Sequence, residues 1–186
     1  MANEQTSEEY LKAVTIGERA PLDSRIQLAG YDPRWPVLYE REEAKIRRAL
    51  RDRALRVEHV GSTSVPGLAA KPIVDIVLEV ADSAEEDAYL PDLERAGYVL
   101  RIREPDWSEH RMFKGQDPTV NLHVHSAGCS EIGKLIAFRD RLRSDPNDRD
   151  LYERTKRELA GRTWRHTQHY ADAKAEVVEA ILRRAG

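Results

Sequence analysis

The sequence predicts an α+β fold: a mixed β-sheet with helices on one side and a helical C-terminal part. Three observations point there. Several segments read as strands: "ALRVEHV", "PIVDIVLEV", "YVLRIREP", "HRMFKGQ" and "TVNLHVHSA". One long segment before them carries apolar residues at helical spacing. From Ser130 onward the chain reads as helix after helix, broken at Asp145-Pro146-Asn147 and at Gly161.

The elements follow in order. Residues 1–20 read as an N-terminal arm, in which "TSEEYLKAV" forms one or two helical turns capped by Thr6 or Ser7. Residues 21–186 read as a single domain. Ile26–Leu28 is a short strand or extended lead. Asp32 caps a helix over about 33–52, with Pro33 first and Trp35, Leu38, Ala44, Ile46 and Leu50 on its apolar side. A strand ends at Val60. "PIVDIVLEV" is a β-branched run suited to a strand buried on both faces. "SAEEDAYLPDLERAGY" is predicted as a helix capped by Asp82 or Ser83 and closed by Gly97. Three strands follow, with "GQDP" as a turn. The C-terminal helices are "SEIGKLIAFRDRLRS", "DRDLYERTKRELAGRT" and "TQHYADAKAEVVEAILRRA".

Composition narrows the function classes. The chain has 186 residues, 40% hydrophobic and 34% charged, with a formal net charge of −3. No general basic footprint for nucleic acid is present, although a local cationic pocket remains compatible with that balance. No stretch reaches the ~18 consecutive apolar residues of a membrane span. The acidic N-terminus lacks an apolar signal core. The single cysteine, Cys129, allows no internal disulfide. A cytoplasmic location is the expectation.

The chemistry-bearing residues begin at Gly61. Gly61 allows a tight turn or a close approach to a ligand. Ser62, Thr63 and Ser64 supply hydroxyls, and any of them can cap a short helix starting near Pro66, an arrangement that binds anions. Lys71 adds a positive charge. The alternative is a connection made of turn residues only. The loop is neither a Walker A nor a dinucleotide fingerprint. Asp75 lies within the next strand, where a carboxylate is costly unless it is paired or holds a metal. His123 and His125 share one strand face, as a metal-ligating pair or as two half-buried histidines. Arg111, Lys114, Arg139, Lys156 and Lys174 are either separate surface charges or, together, a phosphate-binding wall.

"EHVGSTSVPGLAAKPIVDI", followed by "HRMFKG", "NLHVH", "AFRDRLRSDP" and "LYERTKRELA", resembles the GrpB family, as does the earlier "YDPRWPVLYEREE". The resemblance runs from about Ile26 to Leu182. That family is similar to the nucleotidyltransferase superfamily, so the resemblance implies a nucleotidyltransferase-like sheet. It implies Gly61-Ser62 gripping a triphosphate and Asp75 as the first metal-binding carboxylate. In the wider superfamily two divalent ions are held by carboxylates spaced Asp-x-Asp/Glu and by a third on a neighbouring strand. Here Val77 stands at the second position and His123 at the third. Glu79 is about 13 Å from Asp75 at strand rise.

The resulting expectation is a protein that binds a nucleoside triphosphate and a divalent ion, and transfers a nucleotidyl or other nucleotide-activated group to an unassigned acceptor. The alternative is an inactive binding module of the same fold. Asp75 and His125 are the candidate catalytic residues. Gly61, Ser62, Thr63, Lys71, Arg111, Arg139 and Lys174 are the candidate phosphate ligands. Asp75, His123 and His125, with His59 as a further candidate, are the expected metal ligands, for Mg²⁺, Mn²⁺ or Zn²⁺.

Overall fold

The structure, a computed structural model, describes residues 6–18 and 24–185. Helix α1 (Glu8–Val14) starts at Ser7, whose hydroxyl accepts from the Tyr10 N–H at 3.1 Å. The rest of the arm, Met1–Gln5 and residues 19–20, lies outside the described residues. Strand β1 (Ser24–Arg25) precedes the long helix α2 (Arg34–Leu50), where the Asp32 carboxylate accepts from the Arg34 N–H. Strands β2 (Arg56–Val60) and β3 (Val74–Val80) flank the Gly61 loop. Helix α3 (Leu90–Arg95), β4 (Val99–Glu104), β5 (His110–Gly115) and β6 (Val120–Ser126) follow. The C-terminal part holds α4 (Ser130–Ser144), α5 (Pro146–Ala160), β7 (Thr163–Trp164), α6 (Thr167–Asp172) and α7 (Ala175–Ala185).

Five strands form a mixed sheet in the order β2-β3-β6-β5-β4, in which only β3 and β6 run parallel. β1 and β7 make a separate two-stranded pair. Alternation divides the sheet into two faces. One carries Ile76, Leu78, Leu122, Val124 and Phe113 and is covered by Trp35, Ile46 and Leu50 of α2 and Leu93 of α3. The other carries Asp75, Val77, Asn121, His123 and Lys114.

The expectation of helices on one side is corrected here. Val60 and Val77 form an apolar patch on the second face, and Ile132, Leu135 and Ile136 of α4 cover it. Without α4 two β-branched side chains would face water. Two predicted helices are also shorter than expected. Residues 83–89 make only a 3₁₀ turn before α3, since buried Tyr89 turns its hydroxyl back onto the Ser83 carbonyl at 2.6 Å. The last predicted helix is divided into α6 and α7. Asp145 separates α4 from α5 by accepting from the Asn147 and Asp148 N–H groups. Among the described residues no helix is long and apolar enough to cross a membrane.

Candidate functional site

The site forms where the β2–β3 loop meets α5 and the α6–α7 junction. Gly61 has φ +69°, and a Cβ there would lie 2.6 Å from Asp75 Oδ2. Glycine is therefore required on two counts: left-handed backbone and contact with the carboxylate. The expected short helix near Pro66 is instead a 3₁₀ turn over Ser62–Ser64. A turn this short offers no helix N-terminus to an anion.

Several lysines surround the turn. Lys156 of α5 is 2% exposed, donates to Ser62 Oγ at 3.0 Å and also bonds the Ala69 carbonyl. Lys174 stands 4.6 Å above the Tyr170 ring and 6.0 Å from the Tyr152 ring. Lys71 approaches the same Tyr170 ring at 5.6 Å. Lys114 bonds Asn121, which donates to Asp75 Oδ1 at 2.7 Å. Burial, reinforced by the neighbouring Lys174 charge, pushes Lys156 down to about 7. Burial pushes Lys174 down to about 8, against the pull of Asp75. Burial and then the Lys174 charge lower Lys71 as well. Burial acts to raise the Asp75 carboxyl. The His123 ring, the Asn121 hydrogen bond and the Lys71 charge outweigh it and hold the group below its usual range. The buried Tyr170 hydroxyl has no hydrogen-bond partner among the described residues.

A second line of polar groups crosses the same sheet face. Glu104 Oε2 is 2.6 Å from His110 Nδ1, His110 Nε2 is 3.0 Å from His123 Nδ1, and His123 Nε2 is 3.9 Å from Asp75 Oδ1. This chain of titratable groups ends beside the lysines.

The predicted residues sort clearly. Gly61, Ser62, Lys71, Asp75, His123 and Lys174 come together. Arg111 does not: on β5 it points to the opposite face from Lys114 and binds Glu86 at 2.6 Å. Arg139 is taken up by Glu58, Asp140 and the His59 carbonyl. Thr63 is 1% exposed and bonded to His59 Nε2 and the Ile73 carbonyl. His59 stacks on Tyr39 on the far face, its centroid 4.8 Å away, and burial pushes its pKa down to about 4. His125 is packed against His110 and Trp107 with Nδ1 3.7 Å from Cys129 Sγ, and burial pushes it down to about 3. The expected metal set of Asp75, His123 and His125 therefore does not assemble. Among the described residues no three His, Cys, Asp or Glu side chains stand where they can share an ion.

Tyr152, Tyr170, Asn121, His110 and Glu104 were not singled out as site residues by sequence reasoning. A signal existed for the two tyrosines: Tyr152/Lys156 and Tyr170/Lys174 repeat a Tyr-x-x-x-Lys spacing, which sets Tyr152 and Lys156 on one side of α5.

The chain is 59% identical over 179 residues to a UPF0157 protein of Halalkalibacterium halodurans, covering 96% of this chain and 92% of the relative. It is 30% identical to a protein named dephospho-CoA kinase from Mycolicibacterium paratuberculosis, covering 90% of this chain but 46% of that protein. The crystal structure of conserved protein GrpB from Enterococcus faecalis superposes with a TM-score of 0.75 at 31% identity, covering 86% of this chain and 96% of that one. The family model described as GrpB protein matches residues 25–184, and the chain belongs to the GrpB family.

Proposed function

We propose that this protein binds a phosphate-bearing small molecule, a nucleotide, in the lysine pocket of a nucleotidyltransferase-type fold. One observation carries the reading: Lys71 and Lys174 converge beside Ser62 and Lys156, with Asp75 as the carboxylate among them. Positive charge withdrawn from water is unfavourable unless an anion meets it. Phosphate oxygens supply that anion, and the Tyr170 hydroxyl supplies a donor still to be used. A relative named dephospho-CoA kinase that includes a segment like this chain adds support for a phosphorylated ligand. A divalent ion, Mg²⁺, Mn²⁺ or Zn²⁺, would arrive with a triphosphate rather than on a resident three-residue site. No general nucleic-acid partner is part of this reading, and a cytoplasmic location accords with it.

Nucleotidyl transfer is the second reading. It is favoured by the Glu104–His110–His123 chain, which aims an imidazole at the Asp75 side of the pocket and can accept a proton from an acceptor group. Val77 and His123 at two expected carboxylate positions argue for binding as the primary function.

The test is calorimetric titration of metal-stripped protein with pyrophosphate and with ATP, GTP, CTP and UTP, in chelator and with each ion. Binding that is lost in Lys71→Ala and Lys174→Ala supports the pocket. No binding under any ion overturns it. Pyrophosphate release from a triphosphate, abolished by His123→Ala, would move the conclusion to transfer.

A further inference from the structure

We infer that Ser62 and Lys156 form a nucleophile–base pair, in which Ser62 Oγ takes up the acyl group of an ester or thioester of a phosphate-bearing molecule. The phosphate part of this inference rests on the pocket reading above; the nucleophile part does not.

The geometry is specific to one hydroxyl. Ser62 follows the Gly61 turn, is half-buried, and lies 3.0 Å from Lys156 Nζ. Ser64 is 4% exposed and donates to the Gly61 carbonyl at 2.6 Å. Thr63 is 1% exposed. Of the three successive hydroxyls, only Ser62 is both accessible and paired with a basic nitrogen. Lys156 is anchored by the Ala69 carbonyl and by the Tyr152 ring, 5.0 Å from its Nζ. A lysine buried in this way gives up its proton near neutral pH, and its lone pair then faces the Ser62 hydroxyl.

The charge of the pocket selects the group attacked. A phosphoryl dianion placed against Lys156 would hold that lysine protonated and leave no base. An uncharged carbonyl leaves Lys156 free, while Lys71 and Lys174 hold the phosphate elsewhere on the same molecule. In the first half-reaction the Ser62 O–H bond breaks and its proton passes to Lys156 Nζ as Oγ bonds to the carbonyl carbon. The bond to the leaving oxygen or sulfur breaks, and the leaving group keeps the electron pair and receives the proton from Lys156. Water then attacks the Ser62 ester, Lys156 carries the water proton to Ser62 Oγ, and the free acid departs. No oxidant, reductant or metal is needed.

The experiment uses the full chain, an uncharged alkyl ethyl fluorophosphonate and p-nitrophenyl acetate, with intact-mass and peptide-mapping readout. The expected result is one adduct at Ser62, absent in Ser62→Ala. Its formation rate rises as pH passes about 7, with loss of one proton. Lys156→Arg keeps a cationic donor that cannot lose its proton, and labelling there should slow by about 100-fold or more. The wild-type pH profile reads the same base should that variant not fold. No adduct at Ser62, adducts spread over several serines, or an unchanged rate in Lys156→Arg with a flat pH profile overturns the inference. Pyrophosphate titration of the same preparation separates the two readings. Pyrophosphate binding without an adduct leaves the phosphate pocket standing and removes the nucleophile. An adduct without pyrophosphate binding does the reverse.

Discussion

Gly61 is the residue on which the site turns. Its left-handed φ and its contact with Asp75 leave no room for a side chain. Gly61→Ala is expected to destabilise the protein by about 1–3 kcal/mol in urea titration, from the strained backbone and the displaced carboxylate. Pyrophosphate affinity should fall with it; unchanged stability would mean that the loop relaxes freely. The arginines behave differently. Arg139 fixes α4 to β2 through Glu58 and the His59 carbonyl. Arg139→Ala should therefore cost about 2 kcal/mol of stability and leave the affinity of the folded protein for pyrophosphate within about twofold. A tenfold loss of affinity at intact fold would return Arg139 to the phosphate wall. In the sequence both arginines look like phosphate ligands, because residue type reveals charge but not the partner that has already taken it.

At the scale of elements, the site depends on helices meeting a loop from far along the chain. α5 brings Lys156 to Ser62 across 94 residues, and the α6–α7 junction brings Lys174. α4 is seated on the sheet by Ile132, which is 3% exposed against Val60 and Val77. Ile132→Ala removes most of that seat and should cost about 2–4 kcal/mol, read from the urea midpoint with the slope unchanged. A cost below about 1 kcal/mol would mean that the second face of the sheet does not need this cover. Asp148 ties the same helices together, since it accepts from Arg141 of α4 and Arg184 of α7. The existence and order of α4 and α5 were legible from spacing and from the Asp145-Pro146 break; the division of the last helix into α6 and α7 was not. Their placement on the second face was not, because α4 shows no strong amphipathic stripe: its outer side is charged and its inner side mixes Ile132 with Arg139.

For the whole molecule, Lys156 and Lys174 couple the candidate site to folding. In the unfolded chain Lys156 and Lys174 keep their protons up to about the ordinary value of 10.5; in the folded protein they release them near 7 and 8. Folding therefore expels protons between these limits, and the stability contributed by these lysines increases as pH rises from about 7 toward 10. Urea titrations at pH 6.5 and 9 should show this gain in the wild type and a smaller one in Lys156→Met. Equal gains in both proteins would show that Lys156 ionises normally. Pyrophosphate should raise Tm as a ligand of the folded state, and the shift should shrink at pH 9, where the lysines have lost charge.

The sequence by itself determined the five strands of the main sheet, the long helix α2, the glycine turn and the carboxylate that follows it. These depend on local periodicity and on backbone geometry that a few residues dictate. It also placed Lys71, Asp75, His123 and Lys174 among the candidates. Only the tertiary structure decided which charges remain available. Strand alternation and register sent Arg111 and His59 to the far face and His125 into a packed cluster, while Lys156 was drawn to Ser62. Pairing energies depend on distances of a few ångströms between residues up to a hundred positions apart, and no local pattern in the chain encodes them.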